Sequence, residues 1–148
     1  MKILRLYTRL PPCPGGMERH IAHLTEEQVN LGHDVTIYFN KGSKVTSRDI
    51  QVTKLPIYKL KPQFLGLFFF HVLVFSRLFL KREKFDIVHI HGDWSSLIFA
   101  RFIKKIVCAN KLIMSIHDEL SDSFFSTKAL KFLLKQVDIL FASGYALE

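Results

Sequence analysis

The amino-acid sequence predicts an α/β fold, in which a doubly wound parallel sheet carries helices on both faces. Short apolar runs alternate along the chain with longer segments of helical periodicity, the usual order of strands and helices in such a sheet. Several short runs are rich in β-branched residues and lack polar alternation, as is typical of strands buried on both faces. The 148 residues, 49% of them apolar, are enough for one domain with a packed core.

Each element follows from its local pattern. Six short runs predict strands at residues 3–7, 35–39, 51–55, 87–91, 112–116 and 139–142, and four longer ones predict helices at 18–31, 64–84, 95–105 and 126–136. Gly32 is placed to end the first helix, and Ser126 to begin the fourth. Such a Rossmann-like sheet binds ligands at the carboxyl ends of its strands, so the loops after Tyr7, His91 and Ile116 are candidate sites.

A glycine-rich turn follows the first strand. Three prolines between residues 11 and 14 keep the loop out of a helix, and Gly15 and Gly16 then lead into the first helix, whose first N–H groups lack helical partners. Such a helix start binds phosphate or another anion, and a glycine lets the ligand approach the backbone closely. The alternative is that Gly-Gly only turns strand into helix. The spacing matches neither the dinucleotide fingerprint nor the P-loop.

Two histidines lie on one face of the fourth predicted strand. His89 and His91 are two residues apart, and Gly92 allows a turn where the strand ends. Together with Asp93 they begin a pattern of metal ligands suited to Zn²⁺. The alternative, which we favour for His89, is a core histidine whose ring nitrogen is satisfied by the backbone.

A third polar group follows the fifth predicted strand. His117 is succeeded by Asp118 and Glu119, where another strand ends. A histidine there could hydrogen-bond a sugar hydroxyl or act as an acid or base, with its protonation tuned by the two carboxylates. A solvent-exposed loop histidine is the alternative.

Five segments occur in a distinctive order: LPPCPGGMERH at 10–20, LGHDVTI at 31–37, FDIVHIHG at 85–92, IHD at 116–118 and VDILFAS at 137–143. In this order they resemble the N-terminal domain of the glycogen-synthase-like retaining glycosyltransferases, glycosyltransferase family 4, which have the GT-B fold. The resemblance spans essentially the whole chain.

The resemblance implies a function. Such enzymes transfer a sugar from a nucleotide-sugar donor to an acceptor with retention, without a metal or other cofactor, in a cleft between two Rossmann-like domains. Residues 1–148 would be the acceptor-side domain, and the C-terminal domain, which makes most donor contacts, would be absent, leaving this domain alone inactive. The expected reaction is hexosyl transfer to a glycan or lipid-linked acceptor in cell-surface polysaccharide or lipopolysaccharide assembly.

The resemblance also implies roles for individual residues. Gly15 and Gly16 would lie against the donor diphosphate, and His117 would be the catalytic histidine that contacts the transferred sugar. The other implied substrate-binding residues are Asp118 beside it and, on the acceptor side, Glu18, His91 and Asp93.

The most apolar window, residues 64–80, is bordered by basic residues. It has 17 residues and includes His71 and Arg77, so it is short for a transmembrane helix, which needs about 20 apolar residues. Residues 41–105 hold 13 Lys or Arg and 4 Asp or Glu, a net charge of +9. We therefore expect a cytoplasmic protein attached peripherally to the anionic inner face of the cytoplasmic membrane. A thick buried helix with a solvated basic rim is the alternative.

Other classes of function fit less well. A non-catalytic module that binds an acceptor or lipid is one alternative, and a metal-dependent hydrolase using His89, His91 and Asp93 is another. Nucleic acid is not an expected partner, because the basic residues flank a phenylalanine-rich helix and no reading motif is present. Cys13 and Cys108 have no pairing motif and no secretory signal precedes them, so we expect free thiols in a reducing compartment.

Overall fold

A computed structural model describes residues 1–92, 96–116 and 132–142. Their strands form one six-stranded sheet in the order β3-β2-β1-β4-β5-β6, and every neighbouring pair is parallel. The strands are β1 Lys2–Leu6, β2 Asp34–Phe39, β3 Ile50–Gln51, β4 Ile87–Gly92, β5 Lys111–Ile116 and β6 Ile139–Ala142. The helices are α1 Gly16–Asn30, α2 Gln63–Lys81 and α3 Leu97–Ile106, with a short 3-10 helix at Ile57–Lys59. The predicted α/β class is confirmed.

The strand order reverses in the middle of the sheet. The chain runs outward from β1 to β3, returns through α2, and places β4 on the other side of β1 before continuing outward to β6. In such sheets the crevice for a ligand opens at the carboxyl ends of the strands where the winding reverses. Here that point lies between β1 and β4, whose pairing runs from Ile3 with Ile87 to Leu6 with Ile90.

The two faces of the sheet have separate cores, because alternate residues of each strand point to opposite sides. One core packs α2 and α3 against residues such as Leu4, Val88 and Met114. The other packs Ile21 of α1 against Ile37 and neighbouring side chains. The helices therefore cover both faces, as the buried, β-branched strands predict.

The first helix ends in a glycine motif, close to its predicted boundary. Gly32 has a φ of +80°, a conformation that a residue with a side chain rarely adopts. Its N–H bonds Val29 O at 2.9 Å, and His33 N–H bonds Gln28 O at 2.9 Å. These are the two hydrogen bonds of a Schellman motif, which satisfies carbonyls that the helix leaves unpaired.

The third strand is the largest departure from prediction. The sequence predicts it at residues 51–55, but the chain pairs only at Ile50–Gln51. The Asn40 side-chain amide donates to Thr53 O and Leu55 O, both at 2.8 Å, and so takes the carbonyls that a longer strand would use. Pro56 then leads into the 3-10 helix.

The second helix is shorter than predicted. The second helix ends at Lys81 rather than residue 84, because Arg82 has a left-handed φ of 51° and donates its N–H to Leu78 O. Within the described parts of the chain, no helix has the length and apolar character needed to cross a bilayer. Most of the predicted fourth helix lies outside the described residues, which show helical conformation at 132–134.

Candidate functional site

The glycine-rich turn lies at the carboxyl end of β1, beside the reversal point. Gly15 caps α1 with a φ of 153° and a ψ of 154°, and the helix begins at Gly16 with no side chain bonded to its cap. The first N–H groups of α1 are therefore presented to a ligand, with the positive end of the helix dipole behind them. The structure thus places the predicted pair Gly15 and Gly16 at a helix N-terminus, a position at which proteins bind anions.

Glu18 lies beneath this turn. Its side chain is 1% exposed, and Arg9 Nε donates to Glu18 Oε1 at 3.0 Å. Tyr7 Oη donates to the same oxygen at 3.4 Å. A Cβ at Gly15 would lie 2.9 Å from Glu18 Cδ and closer still to Oε2, so the carboxylate is packed directly against this glycine.

Arg9 and Tyr7 are site residues that no sequence pattern predicts. Burial raises the pKa of Tyr7, and the Glu18 carboxylate raises it further. Partial burial opposes the charge of Arg9, but the hydrogen bond that Arg9 donates to Tyr7 and the charge of Glu18 keep the pKa of Arg9 above its ordinary value. The sequence spacing of 7, 9 and 18 matches no motif. For Tyr7 alone there is a sequence signal: if the alternation of β1 continues past Leu6, Tyr7 lies on the same face as Arg5.

The histidines of β4 adjoin this cluster. The Tyr7 and His91 rings meet edge to face with centroids 6.2 Å apart, and the His89 and His91 rings are 4.0 Å apart. His91 is 4% exposed and His89 is 6% exposed. The structure therefore brings Gly15, Glu18 and His91 to one place.

His89 is buried in the core, as favoured from the sequence. Its Nε2 hydrogen-bonds Ser115 Oγ of β5 at 2.8 Å. Within residues 1–92, 96–116 and 132–142, no three His, Cys, Asp or Glu side chains come close enough to hold a metal ion.

Three predicted site residues lie outside the described residues: Asp93, His117 and Asp118. Each follows a strand end that the structure does describe. Gly92 of β4 and Ile116 of β5 are register partners, so these two strands end side by side, with β4 next to β1. The strand ends that precede Asp93 and His117 in sequence thus lie at the edge that carries Gly15 and His91.

The amino-acid sequence is similar to those of known proteins. The sequence model described as Glycosyltransferase Family 4 matches residues 14–146. The chain is 26% identical to the gpi3 subunit of the phosphatidylinositol N-acetylglucosaminyltransferase of Schizosaccharomyces pombe, over 86% of this chain and 30% of that protein. Subunits of the same transferase from two other organisms also match. The Homo sapiens protein is 32% identical over 58% of this chain and 19% of its own length, and the Arabidopsis thaliana protein is 25% identical over 93% and 33%. The chain spans about a third or less of the length of these relatives.

Proposed function

Because the chain belongs to glycosyltransferase family 4, we propose that it forms the acceptor-side half of an enzyme that transfers a sugar from a nucleotide-sugar to a lipid-linked acceptor. The observation that supports this most directly is the Gly15–Gly16 turn, which opens α1 at the reversal point of the sheet. An anion held there would lie against unpaired backbone N–H groups. The donor diphosphate is the anion whose growing charge such groups would offset as the sugar leaves.

The remaining roles extend this proposal along the same edge. We assign His91, next to Tyr7, to the acceptor side, together with Asp93, which follows β4 in sequence. We assign His117 to contact with the transferred sugar and Asp118 to substrate binding; both follow β5 in sequence, and β5 ends beside β4. No metal or other cofactor is assigned a role, since the backbone N–H groups and side chains already supply the polar contacts.

The acceptor we favour is a phospholipid. The relatives are named phosphatidylinositol N-acetylglucosaminyltransferases, which supports N-acetylglucosamine as the transferred sugar and an inositol phospholipid as the acceptor. A glycan acceptor in cell-surface polysaccharide or lipopolysaccharide assembly is the alternative for the same chemistry. The two acceptors can be told apart by the product, which partitions with lipid if the acceptor is a phospholipid and with water-soluble polymer if it is a glycan.

The outer face of α2 supports a lipid acceptor independently. Phe68, Phe69 and Phe79 are about half exposed, and Phe102 of the adjoining α3 is 58% exposed. Phe68 of α2 contacts Phe99 of α3 with ring centroids 5.3 Å apart, so the two helices meet beside Phe68. We call these four exposed phenylalanines the phenylalanine patch.

Basic residues border the phenylalanine patch. Lys81 and Arg82 end α2, and Arg101 and Lys105 lie on α3. Exposed aromatic rings with a basic border enter the interface of an anionic membrane. We propose that the chain acts at the inner face of the cytoplasmic membrane as a peripheral protein.

A transfer assay tests the enzymatic proposal. The chain is incubated with labelled UDP-N-acetylglucosamine and phosphatidylinositol vesicles, with and without the C-terminal part of the S. pombe relative supplied as a second polypeptide. We expect labelled lipid only when both polypeptides are present, and Gly16→Ala to reduce the label. Label in added polysaccharide would favour the glycan acceptor. Vesicle binding without label under every condition would favour a non-catalytic lipid-binding module.

Vesicle flotation tests the membrane proposal. With vesicles containing anionic phospholipid, we expect the chain to float at low salt and to be released as salt is raised. The double variant Phe69→Ser/Phe79→Ser should remain at the bottom. Leu31→Ser is the matched control, because Leu31 is 73% exposed but ends α1 on the opposite face of the sheet. Equal flotation of the double variant and the parent would contradict the proposal.

A further inference from the structure

We propose that Arg9 binds a phosphate group of the substrate, and that Glu18 is the positioning residue that holds the Arg9 guanidinium and the Gly15 turn in one geometry. This inference rests on the proposed function, and it adds Arg9 and reassigns Glu18. The observations that support it are the burial of Glu18, the fixed position of the Arg9 loop and the chemistry of the guanidinium.

Glu18 is enclosed by the protein rather than presented to a ligand. With 1% of its side chain exposed, the carboxylate has little surface to offer an acceptor. It contacts Arg9 Nε and Tyr7 Oη, and it fills the space that a Cβ on Gly15 would occupy. A group in this position fixes its neighbours relative to one another.

Backbone hydrogen bonds fix the loop that carries Arg9. Leu10 N–H bonds Lys41 O at 2.8 Å, Lys41 N–H bonds Thr8 O at 3.0 Å, and Ser43 N–H bonds Pro11 O at 2.7 Å. These backbone hydrogen bonds tie the loop after β1 to the loop after β2. Arg9 therefore keeps its place at the carboxyl edge without a ligand, and this lowers the entropy lost on binding.

Arg9 retains N–H donors that can bind a ligand. A guanidinium has five N–H donors in a planar fork; Glu18 engages Arg9 through Nε, and Tyr7 accepts a further hydrogen bond. The Arg9 side chain is 45% exposed and remains charged. The terminal N–H groups of such a fork match the oxygens of a phosphate, which they bind through two parallel hydrogen bonds.

Arg9 also offsets the charge of the Glu18 carboxylate. A buried carboxylate beneath an anion site repels the anion unless a cation offsets it. Arg9 supplies that cation at 3.0 Å, so the pair leaves the helix N-terminus able to attract phosphate. Removing Arg9 would both delete a phosphate contact and leave the Glu18 charge uncompensated.

Binding of two phosphate probes tests the role of Arg9. Inorganic pyrophosphate represents the donor diphosphate, and glycerophosphoinositol represents the head group of the lipid acceptor. We expect the chain to bind at least one probe in isothermal titration calorimetry, and Arg9→Met to weaken that binding about 10- to 100-fold, since charge-assisted hydrogen bonds are lost. The probe that is affected identifies the source of the phosphate.

Arg19→Met is the matched control. Arg19 carries the same charge on the exposed side of the same helix end, next to Glu18 in sequence. Its removal should change probe affinity less than about threefold, because only long-range attraction is lost. Equal weakening by Arg9→Met and Arg19→Met would overturn the role of Arg9 and leave the proposed transfer function standing. If the parent bound neither probe, the phosphate site itself would be overturned.

Two substitutions of Glu18 separate its position from its charge. Glu18→Asp keeps the charge but withdraws the carboxylate by one methylene, whereas Glu18→Gln keeps the length and an oxygen to accept from Arg9. We expect the ¹H–¹⁵N resonances of Gly15 and Gly16 to shift in the Asp variant and to stay near the parent positions in the Gln variant, without ligand. Unchanged glycine resonances in Glu18→Asp would overturn the positioning role, whatever the outcome of the transfer assay.

Discussion

Gly15 and Gly16 are adjacent, yet they should respond very differently to alanine. Gly15 has a φ of +153° and a ψ of 154°, a region essentially restricted to glycine. A Cβ there would also overlap Glu18 Oε2, which is buried and cannot move into solvent. At Gly16 a Cβ would meet nothing within 4 Å.

The magnitudes follow from these two surroundings. Gly15→Ala combines backbone strain of about 1–3 kcal/mol with overpacking of about 1–3 kcal/mol, so we expect the free energy of unfolding to fall by about 3 kcal/mol. Gly16→Ala should stay within about 0.5 kcal/mol of the parent, because Ala is tolerated at a helix start and finds open space. The expected difference corresponds to about two powers of ten in the unfolding equilibrium.

Urea unfolding followed by far-UV circular dichroism measures this difference. The midpoint should fall in Gly15→Ala without a change in the urea dependence m, since the surface exposed on unfolding is unaltered. In a Glu18→Ala background the overlap disappears, and the cost of Gly15→Ala should drop to that of backbone strain alone, about 1–3 kcal/mol. Equal stability of Gly15→Ala and Gly16→Ala would refute both the glycine conformation and the position of Glu18.

Three further predictions concern the framework of the domain. Hydrogen bonds from Lys104 Nζ and a backbone N–H hold the pKa of Asp138 below its ordinary value. Asp138→Asn should therefore lower the free energy of unfolding by about 1 kcal/mol at pH 7, and in urea titrations the difference should vanish as pH falls below about 4. Gly66→Ala should cost about 1–3 kcal/mol in urea unfolding, despite better helix propensity, because its Cβ would overlap the backbone carbonyl of Ile57; unchanged stability would contradict this packing. Arg5 is fully buried and burial lowers its pKa to about 10, but its guanidinium donates to Thr25 Oγ1 and Gln28 Oε1 and offsets the charge of buried Asp49. Arg5→Met should therefore lower the melting temperature by several degrees, and an unchanged melting temperature would show that the desolvation cost of Arg5 cancels these interactions.

The order of elements could be predicted because hydrophobic period and turn residues act locally. Runs such as residues 112–116 are mostly apolar and largely buried, and Gly32 ends a helix by its own conformational freedom. The third strand could not be placed correctly, because its length depends on the Asn40 side chain, which is distant in sequence from the carbonyls it binds.

Part of the candidate site could likewise be predicted from the sequence, and part could not. The role proposed for Gly15 and Gly16 depends on backbone chemistry, which a sequence pattern reveals directly. The role of Arg9 depends on where β1 ends, how the following loop bonds to the next one, and which carboxylate is buried nearby. Those are properties of the folded chain, and residues so far apart in sequence leave no common spacing by which to find them.

The pairing of β1 with β4 also sets when the site can exist. Lys2 and Asp86 exchange backbone and side-chain hydrogen bonds across 84 residues, at 2.7 and 2.8 Å. The loop that carries Gly15 belongs to the first strand, whereas the wall that carries His91 arrives with the fourth. Closing so long a segment costs chain entropy before any contact offsets it, which makes this contact a slow, non-local one. During synthesis, the first half of the domain can emerge and collapse with its glycine turn, but the ligand crevice forms only when the chain has returned to the middle of the sheet.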